Sequence, residues 1–250
     1  MKKLFNIKLL LISLLFIPSI ASAELVIING NSWDYGISGN IRDSATVGFS
    51  VDLKNDLHLK DDKDTFLVAY IEHPIPVLPN IRLGSTSLSF DGSGSASKDF
   101  TYNGVSYTSS VNVATKLNLD HTEIALYWNI LDNVIGLDLG LNAKFFDGAI
   151  KLTSSAGNVN EVFNETVPML YAGLQAELPY GLRLSGDMSW ISFDGSSFTD
   201  TIVKLSYTTD FNLGVDLGYR SFVIDYEDTA ANEYVDIDIS GVFLGVHLAF

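Results

Sequence analysis

The chain contains no cysteine, which excludes a disulfide scaffold, a thiolate metal site and the lipid-bearing cysteine of a lipoprotein. Basic residues are also scarce: 15 lysines and arginines stand against 30 aspartates and glutamates in 250 residues. That balance excludes nucleic acid as a partner, because phosphate recognition rests on clustered basic side chains. Long apolar runs are missing as well. Beyond the N-terminus no segment approaches the roughly 20 apolar residues of a spanning helix, so an inner-membrane helical protein is excluded. Prolines number six, and three of them, Pro74, Pro76 and Pro79, crowd one short segment.

What is present is apolar character, 47% of the chain, scattered in alternation rather than gathered in blocks. Transmembrane barrels read this way, because only the lipid face of each strand has to be apolar. The N-terminus carries a basic stretch (Lys2, Lys3, Lys8), an apolar run (residues 9–17) and a small-x-small site at Ala21-Ser22-Ala23. These are the parts of a secretory signal peptide, residues 1–23, leaving a mature domain of residues 24–250. The mature chain then carries twelve basic against thirty acidic residues, a net charge of −18.

Alternation places ten strands at residues 24–37, 66–73, 81–90, 116–130, 134–146, 167–178, 181–193, 198–208, 213–226 and 235–250. The links between them are long at 41–63, 91–113 and 147–165. They are short at 74–80, 131–133, 179–180, 194–197 and 209–212, and intermediate at 227–234. Residues 45–53, inside the first long link, have the alternation of a strand extension above the membrane. The segment 91–113 is dense in serine and glycine and reads as a flexible loop. An even number of strands, with short turns at one end and longer loops at the other, gives an all-β, antiparallel up-and-down transmembrane barrel of about ten strands, with eight or twelve as alternatives. Closure satisfies every backbone group without water. A secreted β-sandwich is the competing architecture, but it needs neither the asymmetric loop lengths nor a terminal aromatic. The expected location is the bacterial outer membrane, with both termini periplasmic.

Assigning the apolar parity of each strand to lipid puts thirteen polar residues in the lumen: Glu72, Arg82, Glu123, Asp138, Lys144, Gln175, Glu177, Arg183, Asp187, Asp200, Lys204, Asp216 and Arg220. Seven acids facing five bases make ion pairs and hydrogen bonds that fill a small barrel, and Glu72 is expected to pair with Arg82 at the periplasmic mouth. The competing reading is a narrow polar path. Asp61, Asp62 and Asp64 form an acidic loop whose spacing is not that of an EF-hand. The four histidines, His58, His73, His121 and His247, belong to no motif that selects a catalytic partner. No catalytic, cofactor or metal residue is assigned, and no cofactor is called for.

The last strand, VDIDISGVFLGVHLAF, has Val242, Leu244, Val246 and Leu248 on one parity and ends on Phe250. This resembles the closing strand of bacterial outer-membrane barrels, whose terminal aromatic is an assembly signal. Upstream, Val235, Ile237 and Ile239 lie on the opposite parity. Either the lipid-facing register ends at Ser240, or a bulge at Ser240-Gly241 shifts the phase.

The segment EHPIPVLPN, from Glu72 to Asn80, resembles the signature of a family of uncharacterised proteobacterial outer-membrane β-barrel proteins of about this length. Further matches are LYWNILDN (residues 126–133), LDLGL (137–141), FDG (146–148), LGYR (217–220) and the closing FLG run. The resemblance spans nearly the whole mature chain. It implies fold and location, and an occurrence in genomes that carry a GlyGly-tag surface-protein sorting system; it implies no catalytic residue. Partners follow from the location: outer-membrane lipids, lipopolysaccharide and the barrel-assembly machinery, around a monomer. The expected role is a narrow or occluded small-solute channel or a scaffold for surface loops. Alternatives are an outer-membrane lipid or peptide hydrolase, and an accessory to surface-protein sorting or secretion.

Overall fold

A computed structural model describes residues 25–42, 50–75, 77–230 and 232–250; the signal-peptide assignment lies outside them. Its strands in chain order are β1 (Leu25–Arg42), β2 (Val51–Asp52), β3 (Asp62–Glu72), β4 (Asn80–Thr86), β5 (Ser89–Ser95), β6 (Phe100–Tyr102), β7 (Val105–Tyr107), β8 (Asn112–Asn118), β9 (His121–Asp132), β10 (Ile135–Phe146), β11 (Gly148–Thr153), β12 (Asn158–Phe163), β13 (Thr166–Leu178), β14 (Leu182–Phe193), β15 (Ser196–Thr208), β16 (Leu213–Asp228) and β17 (Glu233–Ala249). Ten of them form one closed antiparallel barrel in the order β1, β3, β4, β9, β10, β13, β14, β15, β16, β17, with β17 paired back onto β1. Every step is to the next barrel strand in sequence, so the topology is up-and-down. The seam ladder runs without interruption from Ile27↔Ala249 to Arg42↔Tyr234.

The outer face carries an apolar belt. Leu139, Leu141 and Phe145 of β10, Leu170 and Leu174 of β13, Leu213, Val215 and Leu217 of β16, and Val242, Leu244 and Val246 of β17 are all exposed. A continuous band of this size has to be covered by hydrocarbon, and closure of the ladder, with one register shift between β9 and β10 at Leu137-Asp138, leaves no free sheet edge against it. The protein is a transmembrane barrel.

A tilted strand needs about 9 to 11 residues to cross a bilayer, whereas β1, β16 and β17 have 18, 16 and 17. The surplus rises beyond the belt at the end that carries the long connections, and there the facing rule inverts. Inside the belt the apolar parity points outward. Above it, Trp33, Tyr35 and Ile37 of β1, Phe222 of β16, and Ile237 and Ile239 of β17 point inward and are buried, while Asp34, Ser38 and Asp238 face out and are exposed. Assigning the apolar parity of each strand to lipid would put Trp33, Tyr35 and Ile37 of the strand at 24–37 on the outer face; their burial corrects that rule for this strand. Water rather than lipid surrounds that part of the wall, so burial in the lumen is the favourable place for an aromatic ring. The same inversion resolves the phase change in β17. The pairing of β17 with both neighbours is unbroken through Ser240 and Gly241, so the lipid-facing register ends at Ser240 without a bulge.

Three further boundaries differ from the alternation. Residues 81–90 divide into β4 and β5, and residues 116–130 into β8 and β9, because the chain leaves the barrel wall at Ser87-Leu88 and re-enters after Leu119-Asp120; Leu88 N–H donates to Asp120 Oδ1 at 2.7 Å. The serine- and glycine-rich stretch is not a flexible loop. With β11 and β12, the strands β5 and β8 form a second, four-stranded sheet in the order β12-β11-β8-β5, and β6 and β7 form a hairpin. Glycine here serves close approach: a Cβ on Gly94 would lie 2.4 Å from the His58 ring and one on Gly92 2.4 Å from the Leu57 carbonyl oxygen. Of the proposed extension at 45–53, residues 45–49 lie outside the described set, and β2 pairs with Asn40 and Ile41.

Candidate functional site

The lumen is filled in layers. Nearest the loop end is the aromatic layer, in which Trp33 lies 4.8 Å from Tyr35, Phe66 5.1 Å from Phe243, and Phe198 5.0 Å from Phe222 between ring centroids. Tyr35 donates to Asp64 Oδ2 at 2.8 Å; burial, reinforced by that carboxylate, pushes its hydroxyl pKa well up.

Beneath the rings sits a charged cluster. Arg220 donates to Asp200 through Nε (3.0 Å) and Nη2 (2.7 Å), and Lys144 bridges Asp200 Oδ2 (2.8 Å) and Glu123 Oε2 (2.6 Å). Arg82 donates to Glu123 Oε1 at 2.6 Å. Three cations thus share two carboxylates, with Lys144 0% and Arg220 1% exposed. The excess positive charge is met by rings: the Arg220 guanidinium carbon lies 4.9 Å from the centroids of both Trp33 and Phe66. Arg220 also reaches across the lumen to Thr86 Oγ1 at 3.0 Å and to His121 Nε2 at 3.3 Å. His121 donates from Nδ1 to the Leu119 carbonyl at 2.9 Å, so its Nε2 is the acceptor and the ring is neutral.

This cluster corrects the expected pairing of Glu72 with Arg82. In the β3–β4 register Arg82 stands opposite Tyr70, one inward position away from Glu72. Glu123 takes Arg82 instead because Gly84 leaves space for it; a Cβ on Gly84 would lie 2.5 Å from the Glu123 side chain. Glu72 accepts from Tyr127 at 2.9 Å.

The next layer is a tyrosine belt. Tyr70 donates to Asp187 Oδ2 at 2.7 Å from the opposite wall, and Tyr171 to Asp187 Oδ1. Below it a cavity of about 240 Å³ opens at the end that carries the chain termini. Glu72, Asp138, Gln175, Glu177, Arg183, Asp187 and Lys204 line it. Asp138 accepts from Asn129 at 2.8 Å, Arg183 pairs with Glu177, and Lys204 donates to Asn29 at 2.9 Å. Asp216 lies at the edge of the cavity, bonded to His247 and Ser206.

The thirteen residues therefore fall into two groups: Arg82, Glu123, Lys144, Asp200 and Arg220 close the middle of the barrel, and the remainder line the cavity, except Asp216, which stands behind its lining residues His247 and Ser206. Alternation did not reveal the aromatic layer, whose signal is the strand surplus beyond a bilayer's width; the three tyrosines are signalled by their parity, which is that of Glu72, Glu123 and Gln175 on the same strands.

Elsewhere, Asp61 holds Lys54 at 2.9 Å, and the hydrogen bond from Lys54 lowers its carboxyl pKa. No group of three or more metal-ligating side chains occurs among the described residues. In the EHPIPVLPN turn, Ile75 N–H donates to His73 Nδ1 at 3.1 Å, so the proton on Nε2 is the one given to the Pro79 carbonyl at 3.1 Å. Asn80 Oδ1 accepts from His73 N–H at 3.1 Å. The motif is a turn stitched by its own ends.

No protein-family model matches the chain, and no curated protein does. Solved structures match throughout. The outer membrane protease OmpT from Escherichia coli aligns with TM-score 0.54 at 10% identity, over 94% of this chain and 99% of that one. The translocator domain of the autotransporter NalP from Neisseria meningitidis aligns with TM-score 0.45 at 11% identity, over 97% and 94%. The likeness is one of fold.

Proposed function

We propose that this protein is an integral outer-membrane barrel that does not conduct and that serves as a rigid stalk for the structure at its loop end. The termini face the periplasm, and the four-stranded sheet and the β6–β7 hairpin face outward. One observation carries the reading: the charged cluster and the aromatic layer are linked wall to wall, from β16 to β4 and β9 through Arg220 and from β10 to β15 through Lys144. A small solute would have to break buried ion pairs and part a dry aromatic core to pass. Small barrels are just wide enough for side chains to fill them, and a filled one resists shear between its walls. That rigidity suits a mount for an outer sheet better than it suits a pore.

Single-channel recording of the refolded protein in planar bilayers tests this. The native chain is expected to give no conductance steps. Steady, reproducible steps from protein whose gel mobility shows it to be folded would overturn the proposal.

A further inference from the structure

At the cavity end, three adjacent strands place Thr208, Gly214 and His247 in one row: Thr208 of β15 stands opposite Gly214 of β16, which stands opposite His247 of β17. One inward step higher, Ser206, Asp216 and Gly245 form a second row. Gly214 makes the arrangement possible: a Cβ on it would lie 2.2 Å from His247 Cε1, so the imidazole packs against the bare backbone of β16, next to the Asp216 carboxylate.

The hydrogen bonds fix its tautomer. Asp216 Oδ1 lies 3.1 Å from His247 Nδ1, and His247 Nε2 lies 2.9 Å from Thr208 Oγ1. A carboxylate accepts, so Nδ1 carries the proton and Nε2 presents its lone pair to the threonine hydroxyl. Asp216 and His247 are buried, at 1% and 6% exposure, and Asp216 is held further by Ser206. Thr208 and His247 both line the cavity. A hydroxyl, a base aligned to take its proton and a carboxylate orienting that base are the three parts of an activated oxygen nucleophile. Donors for a developing oxyanion reach the same cavity in Lys204 and in Arg183, which stands opposite Ser206 on β14.

We infer that Thr208, His247 and Asp216 form a hydrolytic site for short acyl esters of polar alcohols entering from the terminal end of the barrel. Thr208 Oγ1 bonds to the ester carbonyl carbon while its proton passes to His247 Nε2. The carbon–alkoxy bond then breaks, and the alcohol leaves with that proton. Water repeats the sequence: its oxygen bonds to the carbonyl carbon, one proton passes to His247 and on to Thr208 Oγ1 as the acyl–threonine bond breaks, and a carboxylic acid is released. The substrate class follows from the walls. The cavity is about 240 Å³ and mixes carboxylates, amides, hydroxyls and cations with the side chains of Ile27, Leu174 and Ala249, so it takes a short acyl group and a polar alcohol but has no room for a fatty chain, and the closed barrel wall separates it from hydrocarbon.

Protein refolded in detergent micelles is offered p-nitrophenyl acetate and, separately, a small alkyl fluorophosphonate, with intact-mass and peptide mapping. Saturable hydrolysis and a single adduct on Thr208 are expected. Thr208→Val, isosteric and only partly buried, should cut turnover at least 100-fold while keeping the folded gel mobility, and Thr208→Ser should restore it. His247→Gln should fall with Thr208→Val. Asp216→Asn tests a positioning residue: kcat should fall with KM unchanged and with an altered pH profile. Turnover unaffected by Thr208→Val, or an adduct anywhere but Thr208, overturns the inference and makes the chain of bonds a hydrogen-bonded filler of the barrel mouth.

Discussion

Charge arithmetic in the lumen separates two substitutions that remove one ion each. Asp200→Asn leaves Arg82, Lys144 and Arg220 buried with Glu123 as the one remaining carboxylate of the cluster. Asp200 accepts three charge-assisted hydrogen bonds, two from Arg220 and one from Lys144, and the new amide turns a donor toward cations that have nothing to give it. Breaking a buried pair in this way costs about 3–5 kcal/mol. Lys144→Met removes the bridge but leaves Arg82 with Glu123 at 2.6 Å and Arg220 with Asp200 at 2.7 Å, two cations for two carboxylates. Its loss should stay below about 2 kcal/mol, the lost hydrogen bonds being partly offset by an apolar stem of similar volume. Equilibrium urea unfolding in lipid vesicles, followed by tryptophan fluorescence, reads both, since Trp33 lies directly against Arg220. If Asp200→Asn costs no more than Lys144→Met, water reaches the cluster and the sealed-lumen reasoning fails.

Two other substitutions probe the inversion of the wall. Leu244→Lys places a charge in the apolar belt and should cost about 2–4 kcal/mol, whereas Asp238→Lys, three strand steps toward the loop end on the same face, should cost about 0–1; equal costs in the vesicle unfolding assay would misplace the belt. Trp33→Ala should lose about 3–5 kcal/mol as a core cavity, and a loss under 1 kcal/mol by the same assay would mean that the aromatic layer is not packed.

The number of barrel strands and the location of their tight turns were legible because alternation with period two survives along the strands, on the lipid face from Leu137-Leu139-Leu141 to Val242-Leu244-Val246 and on the inward face of β1 at Trp33, Tyr35 and Ile37. The facing of Trp33, Tyr35 and Ile37 was not, because alternation gives a phase but not which solvent lies outside. Glu72 and Arg82 looked like partners from sequence proximity across a turn. Register and the missing side chain of Gly84 decided for Glu123 instead, and neither can be read along one strand. The second sheet was hidden by composition: Ser89–Ser95 has the residues of a linker, yet its glycines are there so that the 53–59 segment can lie against it. His247 and Asp216 were each visible as polar residues on an inward parity. Their joining to Thr208 depends on how β15, β16 and β17 are staggered, and on Gly214, whose role appears only when the His247 ring occupies the space of its missing side chain.

The seam between β1 and β17 has a bearing on how the molecule comes into being. Its sixteen residue pairs join the two barrel strands furthest apart in sequence, and Phe250 exchanges two backbone hydrogen bonds with Val26 at its foot, at 2.9 and 3.2 Å. Until β17 docks, β1 has no partner on that side, and both strands keep a long open edge that can mispair. Closure is therefore all-or-none at this seam: a barrel that lost β17 would be an open sheet with two free edges rather than a slightly weaker barrel, because the β1–β17 ladder is the pairing that removes both.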